Sequence, residues 1–208
     1  MATIDVKDAA GATVPVQAPN ANGQATMANS RPVVFASDQT PIPVGGFSAV
    51  VSGTFSRPAD TTAYTIGDIV ANSTTAGSVA PVALAVARAN GGTGSILRAR
   101  LSTTKTGLAG TEIFRVHLFT TSPTVSSGDN AAISVAGRAA GYIGAFDVTM
   151  SQVYNDGAKG IAGPLQGSQV VFVAGGATTN VWAVLEARTA YTPASGETFV
   201  IELETLRD

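Results

Sequence analysis

Ile113-Phe114-Arg115-Val116-His117-Leu118-Phe119-Thr120 alternates large apolar and polar side chains. In an extended chain Phe114, Val116 and Leu118 share one face, and Arg115 and His117 the other. The period of two recurs elsewhere. Leu97, Ala99 and Leu101 are set against Arg98 and Arg100, and Phe199, Ile201 and Leu203 against Glu202 and Glu204. Such rows predict antiparallel sheets with one packed face and one wet face. Outward from this stretch, strands are predicted at 50–56, 64–70, 79–87, 96–103, 113–120, 142–150, 169–174, 181–187 and 198–205. Gly91-Gly92-Thr93-Gly94, residues 107–110, residues 126–130 and Asn155-Asp156-Gly157 supply turns between them. Residues 121–141 and 151–168 read as longer connections. Short strands at this spacing predict an all-β fold, an antiparallel β-sandwich or jelly roll of about eight or nine strands.

Composition points the same way. The 208 residues include 23 Val, 10 Ile and 25 Thr against 9 Leu, 5 Glu and 3 Lys. β-branched residues suit a pleated surface, and the residues that fill exposed helix faces are scarce. A chain that is 45% apolar and 12% charged has the means to build a core. Its net charge of −2 gives no electrostatic drive toward nucleic acid or an anionic membrane. The opening residues lack the basic start and apolar run of a secretory signal. The longest apolar stretch, 79–87, is under half of the ~20 residues a membrane helix needs. Neither a nucleic-acid nor a membrane partner is expected.

The chain divides near residue 47. Residues 1–46 hold five of the ten prolines, a single Phe (Phe35) and no Leu, Tyr or Trp. They predict an extended N-terminal arm, with the β-domain at 47–208. Within the arm, Arg31-Pro32-Val33-Val34-Phe35-Ala36-Ser37-Asp38-Gln39-Thr40-Pro41-Ile42-Pro43-Val44 disfavours helix at its prolines and favours extension at Val33, Val34 and Phe35. A peptide of this kind suits addition to a partner's sheet edge or a groove. Arg31, Val33, Val34, Phe35, Asp38, Gln39, Ile42 and Val44 are the candidate partner-binding residues; packing on the chain's own domain is the plainer alternative.

Reactive chemistry has little to stand on. The absence of Cys excludes disulfides, zinc–thiolate sites and thiol catalysis. His117 is the sole histidine, and no Gly-x-Ser-x-Gly motif offers it a nucleophile. Glu197, Glu202 and Glu204 crowd the last strand, where a solvated face explains them better than paired catalytic carboxylates. Asp129-Asn130 and Asn155-Asp156-Gly157 lack the ligand density of a calcium loop. Gly91-Gly92-Thr93-Gly94 lacks the Lys-Ser/Thr of a phosphate loop. Trp182, in an alternating strand, is expected in the core rather than on a sugar-binding platform. No catalytic, cofactor-binding or metal-binding residue is assigned, and no cofactor or enzymatic activity is expected.

The segment from Arg31 to Gln39, followed by Ile42-Pro43-Val44, resembles a linker of tailed-bacteriophage virion proteins, with Phe35 where that pattern has Leu. Arg57-Pro58-Ala59-Asp60-Thr61-Thr62-Ala63-Tyr64 with Gly67-Asp68-Ile69-Val70 is similar to the opening of phage virion β-domains. Residues 114–123, Asp129-Asn130-Ala131-Ala132 and Ala190-Tyr191-Thr192-Pro193-Ala194-Ser195-Gly196-Glu197 resemble them too. The family includes capsid decoration (cement) proteins, head fibres and tail-associated proteins. The resemblance implies a β-domain on the capsid surface of a virion, made in the host cytoplasm. It also implies a homotrimer, and an N-terminal arm that grips the major capsid protein. A tail- or fibre-associated receptor- or carbohydrate-binding β-domain is the alternative.

Overall fold

The computed structural model describes residues 6, 7, 9–11, 13, 14, 46–136, 141–165 and 167–208. The chain forms two units, Met1–Ile42 and Pro43–Asp208. In the first, β1 (Val6–Lys7) pairs antiparallel with β2 (Thr13–Val14), and Gly11 at φ +82° serves the reversal. An extended chain throughout 1–46 does not anticipate this short ladder. The candidate partner-binding residues, Arg31 to Val44, lie outside the described residues.

Among the described residues the second unit has eleven strands. They are β3 (Phe47–Ser56), β4 (Ile69–Val70), β5 (Val82–Ala85), β6 (Thr93–Thr103), β7 (Ile113–Phe119), β8 (Tyr142–Thr149), β9 (Gln152–Tyr154), β10 (Gly157–Ala162), β11 (Val170–Val173), β12 (Asn180–Ala187) and β13 (Thr198–Arg207). All pairings are antiparallel. Sheet one runs β3-β13-β6-β10-β9, with β11 also on β6. Sheet two runs β4-β12-β7-β8, with β5 also on β12. Taking β4 with β5, and β10 with β11, as two interrupted strands leaves eight, and β9 is an added edge. In chain order those eight lie 1-8-3-6 in sheet one and 2-7-4-5 in sheet two, which is the jelly-roll order.

The alternating rows close on one core. Phe114, Val116 and Leu118 of β7 and Phe199, Ile201 and Leu203 of β13 are fully buried. Burying each such side chain contributes about 1.5–3 kcal/mol. The rings interlock as well: Phe114 meets Phe199 edge-on at 5.4 Å, and Phe55 stacks on Phe199 at 5.6 Å.

Several readings of the sequence need correction. The strand expected at 64–70 shrinks to a Tyr64–Tyr191 bridge and Ile69–Val70, and that at 79–87 to Val82–Ala85. In β6 it is Ile96, not Leu97, that is buried in line with Ala99 and Leu101. Thr205 pairs with Ile96 and Glu204 with Arg98, so Leu97 is a bulge that resets the alternation. The connection expected at 151–168 contains the β9–β10 hairpin. Gly157-Ala158-Lys159-Gly160 lacks β-branched residues because β10 runs too close to its neighbours. A Cβ on Gly160 would stand 2.2 Å from Thr149 O, and one on Gly157 2.2 Å from Thr103 O. The outer face of sheet two is not wet throughout. Ile69, Ala71, Val79, Phe119, Val125 and Val184 form a second small core there, with Ile133 and Val135 of the β7–β8 connection packed on it. Trp182 lies on this outer face, half-buried, while Val181, Ala183 and Leu185 take the interior. Glu197 is buried rather than solvated.

Candidate functional site

The motifs that set this chain apart converge at one end of the sandwich. Arg57 follows directly on β3, and its N–H donates to Glu197 O at 2.8 Å. Tyr64 and Tyr191 bridge through their backbones and stack at 6.0 Å. Asp129 comes from the β7–β8 connection, just before Asn130 at φ +59°, a conformation Asn tolerates better than most residues. The side chains of Arg57 and Asp129 are both fully buried.

They are also fully partnered. Arg57 Nη2 donates to Asp129 Oδ2 at 2.8 Å, and its Nε donates to the Tyr64 hydroxyl. Tyr64 Oη donates in turn to Asp129 Oδ1 at 2.6 Å, and Ala71 N donates to the same oxygen at 2.7 Å. Arg57 Nη1 reaches the carbonyls of Asp60 (3.2 Å) and Ala194 (3.4 Å). Glu197, alongside, accepts from the hydroxyls of Tyr191 and Thr103 and, at 3.0 Å, from Ala194 N. Burial pushes the Tyr64 phenol well above the ordinary tyrosine range, and its bond to Asp129 adds to that. Burial, then Glu197, does the same to Tyr191. Burial alone would lower Arg57, but Tyr64 and Asp129 outweigh it and raise the guanidinium. The Arg57 guanidinium therefore stays charged and the Tyr64 and Tyr191 phenols stay neutral near neutral pH. The work of this constellation is to tie the end of β3, the β3–β4 connection, the residue after β4, the β7–β8 connection and the β12–β13 connection together.

A second group lies on the outer face of sheet two. His117 Nε2 is 2.8 Å from Glu186 Oε2, and Arg188 Nη1 donates to Glu186 Oε1 at 2.8 Å. Arg115 grips Asp147 with two bonds, 2.6 and 2.7 Å. Burial lowers the His117 pKa despite the pull of Glu186, so the imidazole is neutral at neutral pH. The bonds from Arg115 hold Asp147 below the usual carboxylate range. His117, Phe119, Ile133, Val135 and Tyr142 line an open, mostly apolar recess of about 310 Å³. Tyr142 meets Phe119 edge-on at 5.4 Å and tilts toward His117 at 5.9 Å. Among the described residues no group of three His, Cys, Asp or Glu side chains is placed to hold a metal ion.

The sequence singled out Arg57, Asp60, Tyr64, Asp129, Tyr191 and Glu197 only as parts of separate motifs. Nothing in the spacing shows that Arg57 and Asp129, 72 positions apart, form a buried pair. Glu186 was also missed as the partner of His117, because a diagonal contact between strands needs the register of β7 against β12. No family model and no curated protein matches the chain. Among solved structures it is similar to a chain of the "Cyanophage Pam1 capsid asymmetric unit". The two are 13% identical, the match covers 91% of this chain and 98% of that one, and the TM-score is 0.28.

Proposed function

We propose that the protein is a non-enzymatic structural component of a phage virion that decorates the capsid and stabilises it by binding across capsomers. The observation that supports this reading is the convergence just described. Three motifs that resemble phage virion β-domains, at 57–64, 129–132 and 190–197, meet in one buried clamp, so the resemblance extends to residues that hold the domain together. In this reading the jelly roll, as a homotrimer, is a rigid outer anchor, and residues 1–46 are the arm that reaches the major capsid protein. Val34, Phe35 and Ile42 fill shallow apolar pockets while the backbone adds to a capsid sheet edge. At ~3.3 Å per residue, the roughly 30 residues between the β1–β2 hairpin and β3 reach on the order of 100 Å when extended, enough to pass from one capsomer to its neighbour. Contacts with several capsomers at once favour the assembled shell by mass action and sum through avidity.

The recess beside His117 and Tyr142 favours a second reading, a tail- or fibre-associated domain that binds a receptor or carbohydrate. Antibody labelling of intact virions separates the two. Label over the head supports decoration, and label confined to the tail overturns it.

A further inference from the structure

Strand β3 pairs with β13 along its whole length, Phe47 with Arg207 through Ser56 with Thr198, and among the described residues it has no strand on its other side. Two hydrogen bonds reveal which backbone groups face that free side. Arg57 N donates to Glu197 O at 2.8 Å, and Thr104 N donates to Thr198 O at 3.1 Å. Given the registers, odd-numbered residues of the first part of β13 bond to β3 and even-numbered ones to β6. The β3–β13 register has no shift, so the odd residues of β3 are taken up by β13 throughout. The N–H and C=O groups of Ser48, Val50, Ser52, Thr54 and Ser56 point off the sheet.

A long free edge is a template for another strand, and proteins guard such edges with charge, proline, bulges or short length. At the far side of the same sheet, β9 has 3 residues. β3 has 10, none charged, none proline, in unbroken register. The charged row of sheet one lies inward of it, on Arg98, Arg100, Lys159, Glu202 and Glu204, and is paired within itself. The inner face of β3 is also incompletely covered. Val51 and Phe55 are only partly buried and Phe47 is 44% exposed, whereas Phe199, Ile201 and Leu203 on β13 are at 0%.

We propose that β3 pairs antiparallel with β3 of a second copy about a twofold axis through Ser52, which makes sheet one continuous across two subunits. The edge is self-complementary in this register. Ser48 stands opposite Ser56 of the second copy, Val50 opposite Thr54, and Ser52 opposite its own equivalent. Outward-pointing groups meet outward-pointing groups at each step, giving about ten new backbone hydrogen bonds from five residues on each strand. No like charges face one another, since the strand carries none. The contact is isologous, so it joins two copies of the chain and closes on itself. It does not depend on the virion reading.

The test uses the full chain. In sedimentation equilibrium the wild-type mass doubles reversibly with concentration. Val50→Lys with Thr54→Lys sets lysines opposite one another twice and weakens the association by about tenfold or more. Val50→Lys with Thr54→Glu sets opposite charges there and restores it. All these changes are at exposed positions on the outer face, and circular dichroism checks that the fold is retained. Amide exchange at Val50, Ser52 and Thr54 slows as concentration rises. A mass unaffected by either double substitution, or equal weakening by both, overturns the proposal. So does protection of those amides at every concentration, which would mean that the chain's own N-terminal segment occupies the edge.

Discussion

Arg57 is the residue on which the end of the sandwich turns, because its guanidinium answers a buried carboxylate, a buried phenol and two carbonyls. Arg57→Ala strands Asp129 without its charge partner and is expected to cost about 3–5 kcal/mol. Urea denaturation followed by circular dichroism measures it, and a loss below ~1 kcal/mol would show the pair to be dispensable. His117 makes a different prediction. Its pKa is lowered in the fold, so as pH falls below about 6.5 the unfolded chain takes up the proton first. The stability associated with neutral His117 is complete above about pH 6.5 and is lost as pH falls toward the folded-state pKa. No other histidine titrates in this window. His117→Gln is therefore expected to flatten the fall in unfolding free energy between about pH 7.5 and pH 5; an unchanged slope contradicts the assignment. The alternation in 113–120 was enough to place Arg115 and His117 together on the outer face. Their actual surroundings were not legible, because Glu186 and the cover from Ile133 and Val135 come from segments distant in sequence.

At the level of elements, the strands that were easiest to read are those whose two faces differ most. β7 and β13 present large apolar side chains on one side and charge on the other, and the structure follows the pattern. β10 was invisible for the opposite reason. Its glycines are required by backbone approach, and that requirement suppresses the β-branched residues by which a strand is recognised. Gly160→Ala is expected to destabilise the domain by about 1–3 kcal/mol, since its Cβ meets the Thr149 carbonyl and the Val148 side chain. Gly163→Ala, with nothing within 4 Å, is the control and is expected to fall within about 0.5 kcal/mol of wild type. Thermal unfolding of the two variants side by side measures the difference. Equal midpoints would mean that sheet two stands further from β10 than the structure places it. Leu97 teaches the same lesson at a single position, because a bulge is set by the partner strand and leaves no mark on a period-two pattern.

For the whole molecule, the β-sandwich was anticipated because nine candidate strands with short turns between them, several alternating, admit few closed arrangements; the order of strands within each sheet needed the structure. The shift in composition near residue 47 is the basis for expecting an arm, and both the arm and its grip on the shell belong to the proposed function. Phe35→Asp in the full chain is expected to weaken attachment to particles by at least about tenfold, by placing a charge in an apolar contact. His117→Gln should leave attachment unchanged. The most direct measurement is the temperature at which DNA escapes from particles with and without this protein. The account predicts that particles lacking it release DNA at a lower temperature and regain the original value when the purified chain is added back. Particles that lack it, hold their DNA equally well and fail to adsorb to cells would contradict that account and assign the protein to receptor binding.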